Sequence, residues 1–270
     1  MIHSKKITSL IFLSLFLACK ENPKHQNTAT GTVEIEKTEP AKSYPEALHA
    51  IFEAHGGLDL WKQQRTLTFD LPKPDAPETH TIALSSRKEK IASPKVTMGY
   101  DGDGVWVLDE KKAYKGDAAF YHNLMFYFYA MPFVLADNGI NYGDTENLEY
   151  EGKSYPGIRI SYNSGIGASP KDEYYLHYDP ETHQMAWLGY TVTYGSGEKS
   201  DNVRWVRYND WQSVAEVKLP KSISWHNYEG RTIKESRNTV TFENVTLSEK
   251  ARPDSFYAKP DNAEFVKKEM

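Results

Sequence analysis

The stretch that decides the fold is Asp117–Gly139, which reads DAAFYHNLMFYFYAMPFVLADNG. It contains seven aromatic residues, and aliphatic side chains fill most of the gaps between them. A helix that is apolar on all sides must be covered by protein, lipid or a partner. Asp117 is suited to cap its start, Asn138-Gly139 to end it, and Pro132 to kink or split it. We therefore predict one helix followed by a second, short one.

A membrane span is the first alternative for this stretch. Its length is close to the roughly 20 residues that cross a bilayer. However, His122 and Asn123 interrupt the apolar run, Pro132 breaks it, and several of its aromatic residues are tyrosines. We therefore predict a buried helical lid or plug that the rest of the chain covers.

The start of the chain has the pattern of a secretory signal peptide. Lys5-Lys6 precede an apolar run from Ile7 to Leu17, and Ala18-Cys19 follow it. Residues 1–18 are therefore predicted to be removed and excluded from the fold. The end of this segment resembles the bacterial lipobox, in which the cysteine is acylated with chains such as palmitate and becomes the new amino terminus. Phe16 stands where the lipobox usually has leucine, and an ordinary signal peptide or an uncleaved anchor is the alternative.

Cys19 is the only cysteine of the chain. It therefore has no partner for an internal disulfide, and its position indicates another role. One acyl chain is a marginal anchor, whereas two or three hold a protein on a membrane. We predict that Cys19 is the lipidated residue and that the protein lies in the cell envelope, on the outer membrane.

Residues 19–42 are predicted to be the acylated cysteine and a flexible tether, because they are polar and of mixed charge. Lys20-Glu21-Asn22 is similar to the signal that exports some Bacteroidota lipoproteins to the cell surface. Both the periplasmic and the cell-surface face of the outer membrane therefore stay open as locations. Removing residues 1–18 changes the formal net charge from −5 to −7. A mildly acidic chain offers no footprint for nucleic acid.

Residues 43–270 are predicted to form a single, mainly β domain. Ser43–Glu46 has capping-box spacing, helical periodicity follows it, and Gly56-Gly57 ends this N-terminal helix. From Arg65 the apolar period changes to two. Strand-like runs lie at 65–71, 80–85, 90–98, 104–108, 111–114, 147–151, 157–162, 172–178, 184–194, 203–211, 219–228 and 232–246. This pattern predicts an unclosed antiparallel β-barrel of roughly 11–12 strands around the helical insert.

Several of these runs carry large apolar side chains at both strand parities. Met185 and Trp187 are predicted to point away from Leu188 and Tyr190. In a sheet with one solvated face, apolar and polar residues alternate more regularly along each strand than they do here. Both faces of these strands must therefore be partly covered.

Four segments resemble an uncharacterised family of Bacteroidota lipoproteins: His55–Trp61, Tyr100–Val107, Tyr178–Thr182 and Leu219–Trp225. That family is similar to the LolA/LolB and LppX lipoprotein-carrier fold, an unclosed barrel with helices over its concave apolar face. The resemblance implies that residues 120–135 are the lid or plug. It also implies carriage of acyl chains or lipids, although no functional arginines or exposed apolar loop of known carriers can be aligned here.

The sequence offers no motif for a cofactor or a metal. Asp101–Gly104 is typical of a hairpin turn rather than a calcium loop, because the later ligands are missing. Gly165–Ser169 precedes no helix that could bind phosphate. The histidines are scattered, and an enzyme would need a polar cluster in a cleft with a histidine and a carboxylate in hydrogen-bond reach.

We therefore predict a non-catalytic, membrane-anchored lipoprotein that binds a lipid or another hydrophobic molecule between sheet and lid. The alternatives are an interaction module with a filled core and an undetected envelope hydrolase. The residues predicted to line the cavity are Trp106, Phe120, Leu124, Phe128, Met131 and Trp187.

Overall fold

In a computed structural model of the protein, two antiparallel sheets pack around the aromatic insert. The structure describes residues 43–163, 171–193, 202–230 and 232–266. These residues belong to one compact unit, Ser43–Met270. The sheets are not closed into a barrel, which confirms the predicted mainly β, unclosed architecture. Several predicted features lie outside the described residues: the signal peptide, Cys19, the tether, Gly165–Ser169 and Tyr194.

The first sheet has the order β15-β1-β2-β3-β4-β5-β16. Its strands are β1 (Thr66–Leu71), β2 (Glu78–Ala83), β3 (Glu89–Ala92), β4 (Thr97–Tyr100), β5 (Val105–Leu108), β15 (Glu243–Ser248) and β16 (Glu264–Phe265).

The second sheet has the order β14-β13-β12-β11-β10-β9-β6. Its strands are β6 (Ile140–Asp144), β9 (Gly157–Tyr162), β10 (Tyr174–Tyr178), β11 (Met185–Tyr190), β12 (Arg204–Val214), β13 (Val217–Glu229) and β14 (Thr232–Thr241). A separate hairpin joins β7 (Leu148–Tyr150) to β8 (Lys153–Tyr155).

The N-terminal helix is present as α1 (Glu46–Ala54), and a short helix α2 (Leu58–Gln63), which the sequence did not predict, follows it. The predicted capping box is wrong, because Pro45 is the N-cap and no side chain caps the helix. Gly57 has a φ of 91°, which a residue with a side chain adopts only with strain, and it permits the sharp change of direction between the helices.

The aromatic insert forms three short helical segments rather than the predicted two. They are α3 (Ala118–Tyr121), α4 (Leu124–Tyr129) and a 3-10 helix (Phe133–Ala136). Asp117 caps α3 as predicted, since its carboxylate accepts from the Phe120 N–H at 3.0 Å. The additional break lies at Asn123, whose φ of 57° is left-handed, a conformation that asparagine tolerates.

The strands are more numerous than the periodicity indicated, and several predicted runs are divided or shortened, whereas β12 and β13 are longer than predicted. The described part of the chain contains sixteen strands. The run 90–98 is divided by a turn in which Ser93 Oγ donates to the Val96 carbonyl at 2.8 Å. The run 111–114 is a turn, because the Asp109 carboxylate accepts from the N–H groups of Ala113 and Tyr114. The final run is divided at Phe242, where the chain leaves the second sheet for the first.

A β-bulge corrects the predicted direction of Met185. The pairing of β10 with β11 shifts register between His177 and Tyr178, so Trp187 lies opposite His177 while Met185 lies opposite Tyr178. Met185 therefore joins Leu188 in the main core, and Trp187 packs on the other face of the sheet. An inserted residue of this kind reverses the side-chain alternation.

Candidate functional site

The aromatic insert fills the space between the inner faces of the two sheets. Phe126 and Tyr129 are 0% exposed and Phe133 is 1% exposed. The ring of Tyr129 lies 4.2 Å from that of Phe242, centroid to centroid. Tyr208 of β12 donates its hydroxyl to the Phe128 carbonyl at 2.8 Å, which fixes α4 against the second sheet. Along this stretch the insert is a plug of the core.

A buried charged cluster lies beneath the start of the insert, on the inner face of the first sheet. His80 of β2 is opposite Phe69 of β1, so its ring shares the face of that core residue. His80 Nε2 lies 3.2 Å from Glu78 Oε2, and His80 Nδ1 lies 3.3 Å from Glu89 Oε1. One imidazole ring therefore stands between two carboxylates.

The same two carboxylates hold the connection between α3 and α4. Tyr121 donates its hydroxyl to Glu78 Oε2 at 2.6 Å. The backbone N–H of Asn123 donates to Glu89 Oε2 at 2.7 Å, and His122 Nδ1 lies 3.5 Å from the same oxygen. The left-handed turn at Asn123 thus aims an N–H group at a buried carboxylate.

The electrostatics of the cluster favour its charged form. Burial alone lowers the pKa of His80, but hydrogen bonds to Glu78 and Glu89 outweigh it, and the pKa is raised. Burial alone raises the pKa of Glu78, but hydrogen bonds from His80, Lys73 and Tyr121 lower that pKa to about 2. The pKa of Glu89 is also lowered, because hydrogen bonds from His122 and His80 outweigh its burial.

This cluster contains the histidine and carboxylate that the sequence set as the condition for an enzyme. His80 and Glu89, however, are 0% and 1% exposed, so they lie under the insert rather than along a cleft. Both carboxylates are engaged by the insert. The arrangement stabilises the position of the insert.

Sequence reasoning missed this cluster because its members come from separate strands and from the insert. The available signal is Glu78-x-His80, two polar residues that share one face of a strand predicted to be half buried. The partner Glu89 follows only from the register in which Ile82 of β2 lies opposite Glu89 of β3.

Two open depressions lie on the surface of the described residues. The first has a volume of about 380 Å³ and is lined by Asp70, Leu71, Pro72, Pro77, Glu78, Thr79, Ala92, Ser93, Pro94 and Glu243. The second has a volume of about 440 Å³ and is lined by Glu149, Tyr150, Glu151, Thr232, Ile233, Lys234 and Glu235. Neither is bounded by a residue predicted to line a cavity.

A row of aromatic side chains crosses the inner face of the second sheet beside α4, and we call it the aromatic ledge. Its members are Tyr127, Phe128, Tyr162, Tyr174, Tyr190 and Trp225. Ring centroids are 5.7 Å apart for Tyr162 and Tyr174 and 6.3 Å apart for Tyr174 and Tyr190. Phe128 lies 5.3 Å from both Tyr190 and Trp225. The tyrosines and the tryptophan from the strands are partly buried, and Tyr127 is 42% exposed.

Burial sets the protonation state of the ledge. It raises the pKa of Tyr162 and of Tyr174, and the neighbouring Tyr127 adds to both shifts. These tyrosines are therefore neutral at physiological pH, and the ledge presents ring faces together with neutral hydroxyl groups.

Three of the six predicted lining residues come together in the structure. Phe128 and Met131 are part of the main core, and Leu124 packs against that core. Phe120 lies on α3 with 40% of its surface exposed.

The two tryptophans of that set lie on the outer faces of the sheets. Trp106 packs over Gly99, where an added Cβ would be 2.6 Å from the indole, and its Nε1–H donates to the Tyr257 carbonyl at 3.0 Å. Trp187 lies beside Tyr150 of the β7–β8 hairpin, with the Arg207 guanidinium 4.7 Å from its ring.

Within residues 43–163, 171–193, 202–230 and 232–266, no group of three His, Cys, Asp or Glu residues has a geometry that could hold a metal ion. No helix in the same ranges is both long and apolar enough to cross a bilayer.

The fold and this inner face define an unclosed antiparallel β-sheet protein with an aromatic helical plug. Residues 76–239 match a family of unknown function, DUF6503. The match covers more than half of the chain, and the protein belongs to this family. Comparison with curated proteins gives no match.

Solved structures with a similar fold include three bacterial proteins. A LolA superfamily protein of Nitrosomonas europaea has a TM-score of 0.46 and 10% identity, covering 78% of this chain and 96% of its own. A DUF1329 family protein of Desulfovibrio piger has a TM-score of 0.47 and 8% identity, covering 79% of this chain and 98% of its own. The Mycobacterium tuberculosis lipoprotein LppX has a TM-score of 0.25 and 12% identity, covering 54% of this chain and 88% of its own. All three TM-scores are below 0.5, so these likenesses carry no argument about this chain.

Proposed function

We propose that this protein is a non-catalytic envelope lipoprotein, anchored through Cys19, that binds an apolar or amphiphilic molecule along the aromatic ledge. The observation that carries the proposal is the ledge itself. Five of its six rings, all except that of Tyr127, form a continuous row in which neighbouring centroids are 5.3 to 6.3 Å apart. Such a row offers an apolar surface with hydroxyl groups at its edges, which suits a ligand that is apolar along most of its length.

The binding position differs from the one expected from the sequence. The space between the sheets beneath α4 is filled by Phe126, Tyr129 and Phe133. Opening that space would expose several buried aromatic side chains, each contributing roughly 2 to 3 kcal/mol by burial. The ledge requires no such opening, because Tyr127 is 42% exposed and the strand residues of the ledge are only partly buried.

Native mass spectrometry of the protein purified from its own envelope tests this proposal. The protein is released from the membrane in a mild detergent, and the expected result is a bound small molecule. Exchange of Tyr174 and Tyr190 to serine should remove that additional mass while the circular dichroism spectrum stays folded. Recovery of the wild-type protein with no bound mass, together with no binding of added long-chain amphiphiles, would refute the proposal.

A second candidate is an interaction module with a filled core and no small ligand. The observation in its favour is the complete burial of Phe126 and Tyr129 beneath the sheets. The two candidates differ in one measurable respect. If the ledge binds a ligand, Tyr174→Ser and Tyr190→Ser should weaken ligand binding. If the protein is an interaction module with a filled core, the wild-type protein should bind no small molecule.

The anchor is tested separately. Cys19→Ala should release the protein from membranes, because roughly 0.8 kcal/mol per buried methylene is lost together with the acyl chains. Protein that stays with the membrane fraction after a high-salt wash would contradict lipidation at Cys19. Cys19→Ala should leave the ledge unchanged, so binding assays on the released protein serve as its control.

A further inference from the structure

Two arginines lie at the β12–β14 end of the aromatic ledge. Arg204 of β12 is the cross-strand partner of Tyr190 of β11, so the two side chains share the inner face of the second sheet. Arg237 of β14 is the extra residue at a β-bulge, between the partners of Trp225 and His226, and its charge acts on the Tyr190 hydroxyl. Both arginines are exposed. The ledge therefore ends at a positively charged edge.

The tyrosine and tryptophan at that end are held in position. Trp225 Nε1–H donates to the Tyr190 hydroxyl at 2.9 Å. Burial raises the pKa of Tyr190, while Trp225, Arg204 and Arg237 act against it in that order. The positive charges of both arginines thus reach the hydroxyl at the end of the ledge.

Among the described residues, no acidic side chain is paired with either arginine. Across the described ranges, no carboxylate oxygen lies within 4.0 Å of the guanidinium of Arg204 or Arg237. The chain contains 37 acidic and 32 basic side chains, so carboxylates are in excess. By contrast, Arg87 contacts both carboxylate oxygens of Asp137, at 2.6 and 2.7 Å. Two guanidinium groups beside one aromatic row, without a carboxylate partner among the described residues, indicate a recognition edge for an anion.

We propose that this edge binds the acid group of a single-chain anionic amphiphile whose apolar chain lies along the aromatic ledge. The inference rests on the proposed function and names its ligand class. Guanidinium groups bind carboxylates in a planar, two-pronged geometry, which an ammonium group or a hydroxyl cannot reproduce. The rings of Tyr162, Tyr174 and Tyr190 follow one another across the sheet at centroid distances of 5.7 and 6.3 Å, so one acyl chain could lie along them.

The charge of the head group separates this ligand class from neutral apolar ligands. A neutral amphiphile with the same chain would use the ledge alone and leave both guanidinium groups in water. An anionic one gains charge-assisted hydrogen bonds at the edge, and it should bind about 10-fold or more tightly than its neutral counterpart.

The test uses isothermal titration of the Cys19→Ala protein with oleate and with monoolein, each below its micellar concentration. The double variant Arg204→Gln and Arg237→Gln removes the positive charge of each side chain and leaves a polar amide group on a shorter stem. The expected result is that oleate binds wild type about 10-fold more tightly than monoolein does, and that the double variant removes this preference. The matched control is Arg252→Gln, an exposed arginine over the ring of Phe256 at 5.3 Å.

Each outcome separates the acid-group inference from the proposed function. Equal affinity for oleate and monoolein in wild type, unchanged by the double variant, would overturn the acid-group inference and leave the ledge as a binding surface. Binding of neither probe would overturn the proposed function together with the inference. An equal loss of oleate binding in Arg252→Gln and in the double variant would also overturn the inference. The net charge of the protein, rather than the two arginines at the ledge, would then explain the weaker binding.

Discussion

Replacing Glu89 by glutamine should destabilise the protein and change its pH dependence. The Glu89 carboxylate is 1% exposed, accepts from the Asn123 N–H at 2.7 Å, and lies 3.3 Å from His80 Nδ1. The glutamine is nearly isosteric, so it leaves the packing in place. It removes one of the two negative charges beside the imidazole ring.

The size of the effect follows from this geometry. Removing one partner of a buried ion pair costs about 3 to 5 kcal/mol, because the remaining charge is left uncompensated. His80 keeps Glu78 as a second partner, and the amide oxygen of glutamine is still able to accept from the Asn123 N–H. The expected loss in the free energy of unfolding is therefore about 3 kcal/mol near pH 6.

The pH dependence has a defined sign. The folded-state pKa of His80 is raised, so its stabilising contribution is complete below its unfolded pKa and is lost as pH rises through the folded pKa. The folded-state pKa of Glu89 is lowered, so its contribution is present above its unfolded pKa and is lost as pH falls through the folded pKa. Because Glu89→Gln weakens the shift of His80, the difference between wild type and variant should be largest near pH 6 and smaller near pH 9.

Urea unfolding of both proteins, followed by tryptophan fluorescence from about pH 5 to about pH 9, measures this difference. Glu249→Gln is the control, since Glu249 is exposed and its exchange should change the free energy of unfolding by less than about 0.5 kcal/mol. The reasoning would be refuted by a loss below about 0.5 kcal/mol in Glu89→Gln, or by a loss that does not vary over this pH range.

Two further predictions concern the packing of the insert and of the outer face. Phe126→Ala should lower the free energy of unfolding by about 3 to 5 kcal/mol with an unchanged urea m-value, because Phe126 is fully buried. Phe120→Ala is the control and should cost well under half of that, because Phe120 is 40% exposed. Equal costs would contradict the assignment of the insert as a plug. Trp106→Phe removes the donor to the Tyr257 carbonyl and should lower the free energy of unfolding by about 1 to 3 kcal/mol. Amide hydrogen exchange should become faster in residues 254–263, and unchanged exchange there would argue against this contact.

Much of the fold was predictable because local pattern and local chemistry determine it. The alternation from Arg65 to Leu71 predicted β1, and Asp101–Gly104 predicted the β4–β5 turn, in which Asp101 Oδ1 accepts from the N–H groups of Asp103 and Gly104. The aromatic stretch predicted a helix that needs cover on every side, because an all-apolar helix cannot remain in water. These features depend on residues close together in the sequence.

Tertiary structure alone decided which face of each strand became concave. Period-two alternation assigns side chains to two faces, yet it does not say which face curves around the insert. Trp106 and Trp187 therefore lie on outer faces, although the sequence grouped them with Phe128 and Met131. The bulge beside Met185 reversed the alternation within one strand, which no local pattern records.

The charged cluster and the ledge also depend on register between separate strands. Glu89 meets His80 only because β3 pairs with β2, and Arg204 meets Tyr190 only because β12 pairs with β11. The sequence by itself determined that the chain is mainly β and that Asp117–Gly139 must be covered, and it predicted an export signal before Cys19. Long-range pairing decided what covers the insert and which side chains meet at its edge, because those contacts join residues far apart along the chain.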